Sequence, residues 1–93
     1  MMVKDRRYAV VKNLIDTGYI KSFGDIFNVI PKSVIARDLG MNNLRFSKLM
    51  KNVDLFLLRD LFRLATFLEV EETVLMNLIY QQYVIDKKNK KKK

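Results

Sequence analysis

The chain has 93 residues, of which 49% are hydrophobic, and it contains one proline, three glycines, no cysteine and no histidine. This composition predicts one compact domain with its own apolar core, and it excludes a disulfide framework and a thiolate metal site. The lack of histidine also removes the commonest metal ligand and the commonest general base near neutral pH. We therefore predict a protein that is not an enzyme, with no metal, no cofactor and no evident small-molecule ligand.

The formal net charge of +8 is unevenly distributed along the chain. Residues 1–52 contribute +6, residues 53–86 contribute −4, and the final segment KKNKKKK contributes +6. A basic half opposite an acidic half is typical of a protein that binds a polyanion on one side. The charge distribution therefore favours nucleic acid as a partner.

The first residues, MMVKDRRYAVV, carry charges but have no long apolar run and no small-residue cleavage site, so they do not resemble a signal peptide. No segment of the sequence is long and apolar enough to span a membrane. We therefore expect a cytoplasmic protein without a membrane partner.

The first half of the chain has the pattern of short helices. They are expected over residues 5–17, 22–30, 32–39 and 43–51. Ser22 and Asp25 resemble a capping box at the start of the second helix. Gly18 and Gly40 are expected to end the first and third helices, because glycine adopts the left-handed conformation that follows many helices. Asn42 is a natural N-cap for the fourth helix.

The second half is more apolar and predicts two longer helices. Residues 55–68, LFLLRDLFRLATFL, are apolar on most of the circumference, so this helix is expected to be central. A last helix is expected to open at two glutamates and to run to about Asp86. The lysine tail, 87–93, lacks an apolar anchor and is predicted to be disordered, so the domain spans residues 1–86. The predicted fold is all-α, a compact domain of five or six helices.

The fourth predicted helix has one apolar face and one cationic face when residues are placed about 100° apart. The apolar stripe consists of Phe46, Leu49, Met50 and Val53. The opposite face consists of Leu44, Ser47, Lys48 and Lys51. Asn43 and Arg45 lie at its flanks, and no acid interrupts it. Such a face can neutralise phosphates, and serine, asparagine and apolar side chains can contact base edges.

The residues before this helix have the spacing of a helix-turn-helix motif. Ile35 and Leu39 are four residues apart and are expected to pack inward. Ala36 allows two helices to approach closely, and Gly40 allows the tight turn between them. Met41 is expected to bury the turn.

Residues 32–68 resemble the phage-repressor/Cro-like (XRE-type) helix-turn-helix family. The resemblance is carried by Ile35, Ala36, Leu39, Gly40, Met41, Phe46 and Leu49. The later run LRDLFRLATFLEV is similar to the helix that follows the motif in this family. The resemblance implies a lambda-repressor-like helix-turn-helix at about 32–51, which binds double-stranded DNA sequence-specifically with the second motif helix in the major groove.

Carried over by position, the resemblance also implies roles for single residues. Those facing the bases would be Asn43, Leu44 and Lys48, those facing phosphates would be Lys32, Ser33 and Lys51, and Ser47 could serve either. We group Ser47 with the base candidates and add Arg45, from its position at the flank of the face, to the phosphate candidates. The implied function is a small transcriptional regulator of bacterial or phage type.

The last predicted helix has more large apolar side chains than one buried stripe requires. The additional ones are Met76, Tyr80, Tyr83 and Ile85. They either complete the core or form a two-fold contact in a homodimer, and the sequence leaves both interpretations open. In a dimer, two recognition helices about one DNA turn (~34 Å) apart would read a palindrome.

Other interpretations also remain open. The main alternative is a helical protein–protein interaction module without DNA binding, in which Leu44 and the C-terminal aromatic residues contact another protein. Membrane-surface binding through the lysine tail comes third, because no basic amphipathic helix adjoins that tail. Arg45 either contacts phosphate or pairs within the fold with Asp38 or Asp54.

Overall fold

The computed structural model describes residues 5–91, and all regular elements in this range are helical. The α-helices are α1 (Arg7–Asp16), α2 (Lys32–Asp38), α3 (Asn43–Lys51), α4 (Leu58–Leu68) and α5 (Glu72–Lys91). A first 3₁₀ helix (Phe23–Asn28) precedes α2, and a second 3₁₀ helix (Val53–Leu55) precedes α4. The predicted all-α class is confirmed. The radius of gyration is 12.9 Å, close to the ~12 Å expected for a compact chain of this length.

One hydrophobic core connects these elements. Helix α2 packs against α3, α1 packs against α4, and α5 packs against α4 and both 3₁₀ helices. Side chains from every α-helix enter the core, including Tyr8, Ile35, Phe46, Leu64 and Leu75. Burial of each such side chain contributes roughly 1.5–3 kcal/mol relative to exposure. Within residues 5–91, no helix is both long enough and apolar enough to cross a bilayer.

Helix α4 begins later than predicted, at Leu58 rather than at Leu55. The preceding residues form the second 3₁₀ helix, and Leu57 has extended backbone angles. Arg59, Arg63 and Thr66 are exposed on one side of α4, so its apolar side chains do not cover most of the circumference as predicted. Leu55, Leu57 and Leu58 are also exposed. Several side chains of this apolar run are therefore not buried in the core.

Helix α5 continues to Lys91, beyond the predicted end at Asp86. The disordered tail predicted for 87–93 is therefore wrong for residues 87–91, whereas residues 92 and 93, like residues 1–4, lie outside the described residues. No glycine or proline interrupts this stretch, lysine has a good helix propensity, and cations are favourable near a helix C-terminus.

A tight turn joins α2 to α3 around Gly40, which has a φ of +73°. The backbone N–H of Met41 donates to the carbonyl oxygen of Ala36 at 2.8 Å, and that of Gly40 donates to the carbonyl oxygen of Arg37 at 3.0 Å. These are the two hydrogen bonds of a Schellman C-cap. Gly18, with a φ of +84°, ends α1 in the same way. Both predicted glycine stops are confirmed.

Side chains cap the helix starts at the predicted places. The Asn42 side-chain oxygen Oδ1 accepts a hydrogen bond from the backbone N–H of Arg45 at 2.7 Å, which satisfies a free donor in the first turn of α3. The Asp25 carboxylate accepts from the backbone N–H of Ser22 at 3.2 Å at the start of the first 3₁₀ helix. The second predicted helix therefore has the expected cap, although it is a 3₁₀ helix.

Two long-range hydrogen bonds fix the end of α2. Arg63 of α4 donates through Nη1 to the carbonyl oxygen of Leu39 at 3.0 Å. The Tyr8 hydroxyl of α1 donates to Asp38 Oδ2 at 2.7 Å. Burial, reinforced by this hydrogen bond, raises the pKa of Tyr8 well above its ordinary value, so the phenol stays protonated. Helices α1 and α4 together hold the segment that leads into the turn.

We predict that Gly40→Ala lowers the free energy of unfolding by about 1–2 kcal/mol, because an alanine in the left-handed region is strained. A Cβ at this position would meet no heavy atom within 4 Å, so the cost comes from the backbone alone. Urea denaturation followed by circular dichroism measures the change. Gly40→Asn is the control and is expected to cost less, since asparagine tolerates this conformation. Equal stability of the alanine variant and the parent would contradict the prediction.

Candidate functional site

Four phenylalanine rings determine which face of α3 is buried. Phe46 of α3 lies 5.9 Å from Phe27 and 5.9 Å from Phe56, measured between ring centroids. Phe23 lies 5.3 Å from Phe27 and 5.5 Å from Phe56. Each ring therefore contacts two others edge-to-face, an arrangement that contributes about 0.5–1.5 kcal/mol per pair beyond burial. We call these four residues the phenylalanine cluster.

The phenylalanine cluster orients the rest of α3. Leu49 and Val53 are buried together with Phe46, as predicted, while Met50 is half-buried. The side chains on the other side are exposed, namely those of Asn43, Leu44, Arg45, Ser47, Lys48 and Lys51. The predicted division of α3 into a buried and an exposed face is therefore confirmed.

The exposed side of α3 is cationic. The helix contains Arg45, Lys48 and Lys51 and no acidic residue. Neither of these lysines forms an ion pair with an acid of the part of the chain that the structure describes. Both lysines lie in the last turn, where they also interact favourably with the helix dipole. Their ammonium groups are available to an external anion.

Arg45 has an internal partner that the sequence interpretation did not include. Its Nη2 lies 3.9 Å from Oδ2 of Asp60, in the first turn of α4. The two internal partners expected from sequence are not found among residues 5–91, because Asp38 pairs with Arg37 and accepts from Tyr8, and no ion pair joins Arg45 to Asp54.

The Arg45–Asp60 contact is loose. Within residues 5–91, Asp60 Oδ2 is buried without a hydrogen-bond partner, and 3.9 Å exceeds hydrogen-bond length. The Arg45 side chain remains 53% exposed. Its guanidinium can therefore contact an external phosphate from the flank of α3 while it remains near Asp60.

The remaining phosphate candidates lie on α2. Lys32 and Ser33 occupy its first turn, and both are exposed. Because α2 packs directly against α3, these residues belong to the same two-helix unit. The structure thus places all eight DNA-contact candidates on the surface of two adjacent helices.

The candidate dimer residues do not all lie together. Met76, Tyr80 and Tyr83 line one cavity beside the start of α4. Ile85 is exposed but lies about 180° around α5 from Met76, because nine residues at about 100° each add up to two and a half turns. Sequence reasoning grouped it with the other three on composition alone.

Sequence reasoning also missed three exposed apolar residues near that cavity. Leu55, Leu57 and Leu58 are exposed at the start of α4. The signal was present in the run LFLL, since four consecutive apolar residues exceed what one buried face can accept.

No protein-family model, curated protein or solved structure matches this chain. Within the part of the chain that the structure describes, no group of three or more His, Cys, Asp or Glu side chains is arranged to hold a metal ion. The geometry and charge of this chain are therefore the basis on which its function is proposed.

We predict a large loss of stability for one of two substitutions that lie two residues apart on α3, and almost no change for the other. Phe46→Ala is expected to lower the free energy of unfolding by about 3–5 kcal/mol, because it leaves a cavity in the phenylalanine cluster. Leu44→Ala removes a side chain that is 70% exposed, and it is expected to change stability by less than about 0.5 kcal/mol. Chemical denaturation measures both. Comparable losses would contradict the orientation of α3.

Proposed function

We propose that α2 and α3 form a helix-turn-helix of the phage-repressor/Cro-like type, and that the protein binds double-stranded DNA sequence-specifically as a small bacterial or phage transcriptional regulator. The observation that carries this proposal is the exposed, cationic and acid-free face of α3, held outward by the phenylalanine cluster. A duplex carries one negative charge per ~1.7 Å of its axis, so such a face is attracted to it.

The chemistry of the exposed side chains supports a division of roles. Lys48 can donate to guanine O6 and N7, and Leu44 can contact a thymine methyl group. Asn43 and Ser47 have both donors and acceptors for base edges. The proposed phosphate contacts are Lys32, Ser33, Arg45 and Lys51. Phosphate contacts orient α3 in the groove, whereas base contacts select the sequence.

The turn geometry supports the same proposal. The Schellman cap at Gly40 and the Asn42 cap leave only a few residues between α2 and α3. A short, well-defined turn of this kind fixes the angle between the helices, and base recognition needs a helix held in one orientation.

One observation favours a second candidate function. Leu44, at 70% exposure, is an apolar side chain in the middle of the proposed base-reading face. An exposed leucine also fits a protein–protein contact, so a helical interaction module remains the alternative. The charge of α3 favours DNA, because an apolar protein partner would leave Lys48 and Lys51 without counter-ions.

The direct test is selection of binding sites from a pool of random duplexes at near-physiological salt. We expect enrichment of one short motif, since base contacts discriminate by about 1–3 kcal/mol per position. Binding without any enriched motif would contradict sequence-specific recognition. Absence of duplex binding would favour the interaction module.

Replacement of Lys48 and Lys51 by glutamine tests whether the exposed face of α3 binds the duplex. We expect the double variant to bind the selected duplex at least about tenfold more weakly, with a salt dependence reduced by about one unit for each lost phosphate contact. Fluorescence anisotropy at several salt concentrations measures both quantities. Glutamine avoids placing an acid in the last turn of α3, where it would oppose the helix dipole.

A matched double variant, Lys12→Gln with Lys21→Gln, controls for net charge. It removes the same number of positive charges from residues outside α3. The Lys12–Asp16 ion pair that it breaks is exposed and contributes little to stability. This control is expected to retain most of the affinity. Equal losses in the two double variants would show that α3 is not the reading element.

A further inference from the structure

The C-terminal end of α5 is both helical and strongly basic. Residues 87–91 continue the helix and consist of four lysines and one asparagine. The side chains of Lys87 and Lys88 are exposed. Neither of them forms an ion pair with an acid of the part of the chain that the structure describes. Both ammonium groups can therefore contact an external anion.

Gln82 connects this end of α5 to the body of the domain. Its side-chain oxygen Oε1 accepts a hydrogen bond from the backbone N–H of Gly24 at 2.8 Å, and its Nε2 donates to Asp86 Oδ1 at 2.8 Å. A Cβ on Gly24 would lie 2.6 Å from Oε1 of Gln82, so the contact depends on glycine. Gly24 follows Phe23 of the phenylalanine cluster. The same part of the core therefore holds both α3 and the basic end of α5.

The basic end of α5 lies beside the end of α3. Lys51, the last residue of α3, and Lys87 line the same depression, whose volume is about 290 Å³. The second 3₁₀ helix, which follows α3, packs against α5. Asp54 and Asp86 line the depression as well, so the enclosed space is not itself an anion site. Both lysines are exposed, however, and they join the cationic face of α3 and the basic end of α5 into one surface.

A duplex backbone is the partner whose charge fits this joined surface. Residues 43–51 and 87–91 contain no acid, and the lysine side chains described there are exposed. Each DNA strand presents a phosphate every ~3.4 Å along the duplex axis, so five helical residues, about 7.5 Å long, span about two phosphates. An anionic membrane fits less well, because helices that lie in a membrane surface bury an apolar face and residues 87–91 have none.

We propose that the basic end of α5 is a second DNA-contacting element, which binds the phosphate backbone next to α3. This inference rests on the proposed function and extends it. Helix α3 selects the sequence, whereas Lys87 and Lys88 add affinity that is the same for every sequence, because phosphate contacts carry no base information. Gln82 is a positioning residue, which holds the lysines of α5 in place without touching the duplex.

Replacement of Lys87 and Lys88 by glutamine in the full chain tests the phosphate contacts. Fluorescence anisotropy is measured with the selected duplex and with a duplex of unrelated sequence, at several salt concentrations. We expect the affinity for both duplexes to fall by the same factor, about threefold to tenfold, with the salt dependence reduced by about one unit for each lost contact. Lys12→Gln with Lys21→Gln is the matched control, since it removes two positive charges from other parts of the chain.

A double-mutant cycle tests the role of Gln82. In the parent background, Gln82→Ala is expected to weaken duplex binding about twofold to threefold, because it releases the basic end of α5. In the background that carries Lys87→Gln and Lys88→Gln, the same substitution is expected to leave the affinity unchanged. Equal losses in the two backgrounds would contradict the positioning role. Circular dichroism checks that each variant retains its helices.

Three results would overturn the phosphate contact. They are a loss no larger than that of the control, a loss confined to the selected duplex, and a loss of binding to phosphatidylserine vesicles with duplex affinity unchanged. Failure of the proposed function gives a different result. If the random-duplex selection enriches no motif while Lys87→Gln with Lys88→Gln still weakens binding to every duplex equally, the α5 contact stands and sequence reading by α3 fails.

Discussion

Edge-to-face packing among Phe23, Phe27, Phe46 and Phe56 is the interaction on which the arrangement of this protein depends. The four rings come from the first 3₁₀ helix, α3 and the segment between the second 3₁₀ helix and α4. Because each ring contacts two others, none can turn without disturbing a neighbour. Phe46 is almost completely buried, so α3 has one rotational setting, and its polar side must face solvent.

Further contacts fix the position of α3 relative to α2. The Gly40 turn fixes where α3 starts, and hydrogen bonds from Arg63 and Tyr8 hold the end of α2 against α4 and α1. The position of α3 is thus determined at both its start and its buried face. A cationic surface that is fixed in this way loses little conformational entropy on binding, which is what recognition of a regular helix such as DNA requires.

Local signals in the sequence predicted the glycine turns, the helix caps and the two faces of α3. The glycine stops, the Asn42 cap and the Asp25 cap all involve residues within five positions of one another, so the letters alone specify them. The buried and exposed faces of α3 were predictable for the same reason, because helical periodicity is a property of a short segment.

Contacts between residues that are distant in the chain could not be predicted from the sequence. The partner of Arg45 is Asp60, fifteen residues away and on another helix, and no spacing rule identifies it. The run LFLL indicates that some of its side chains are exposed, but only the packing shows that these are Leu55, Leu57 and Leu58. The separation of Ile85 from Met76, by contrast, follows from helical periodicity and is predictable from the sequence.

The most direct test of the central claim is an amide chemical-shift map of the protein with and without a bound duplex. We expect the largest changes at residues 43–51 and at the first turn of α2, with the core amides of α1 unaffected. Changes confined to α5, or spread evenly over the molecule, would contradict the claim that the outward face of α3 enters the groove.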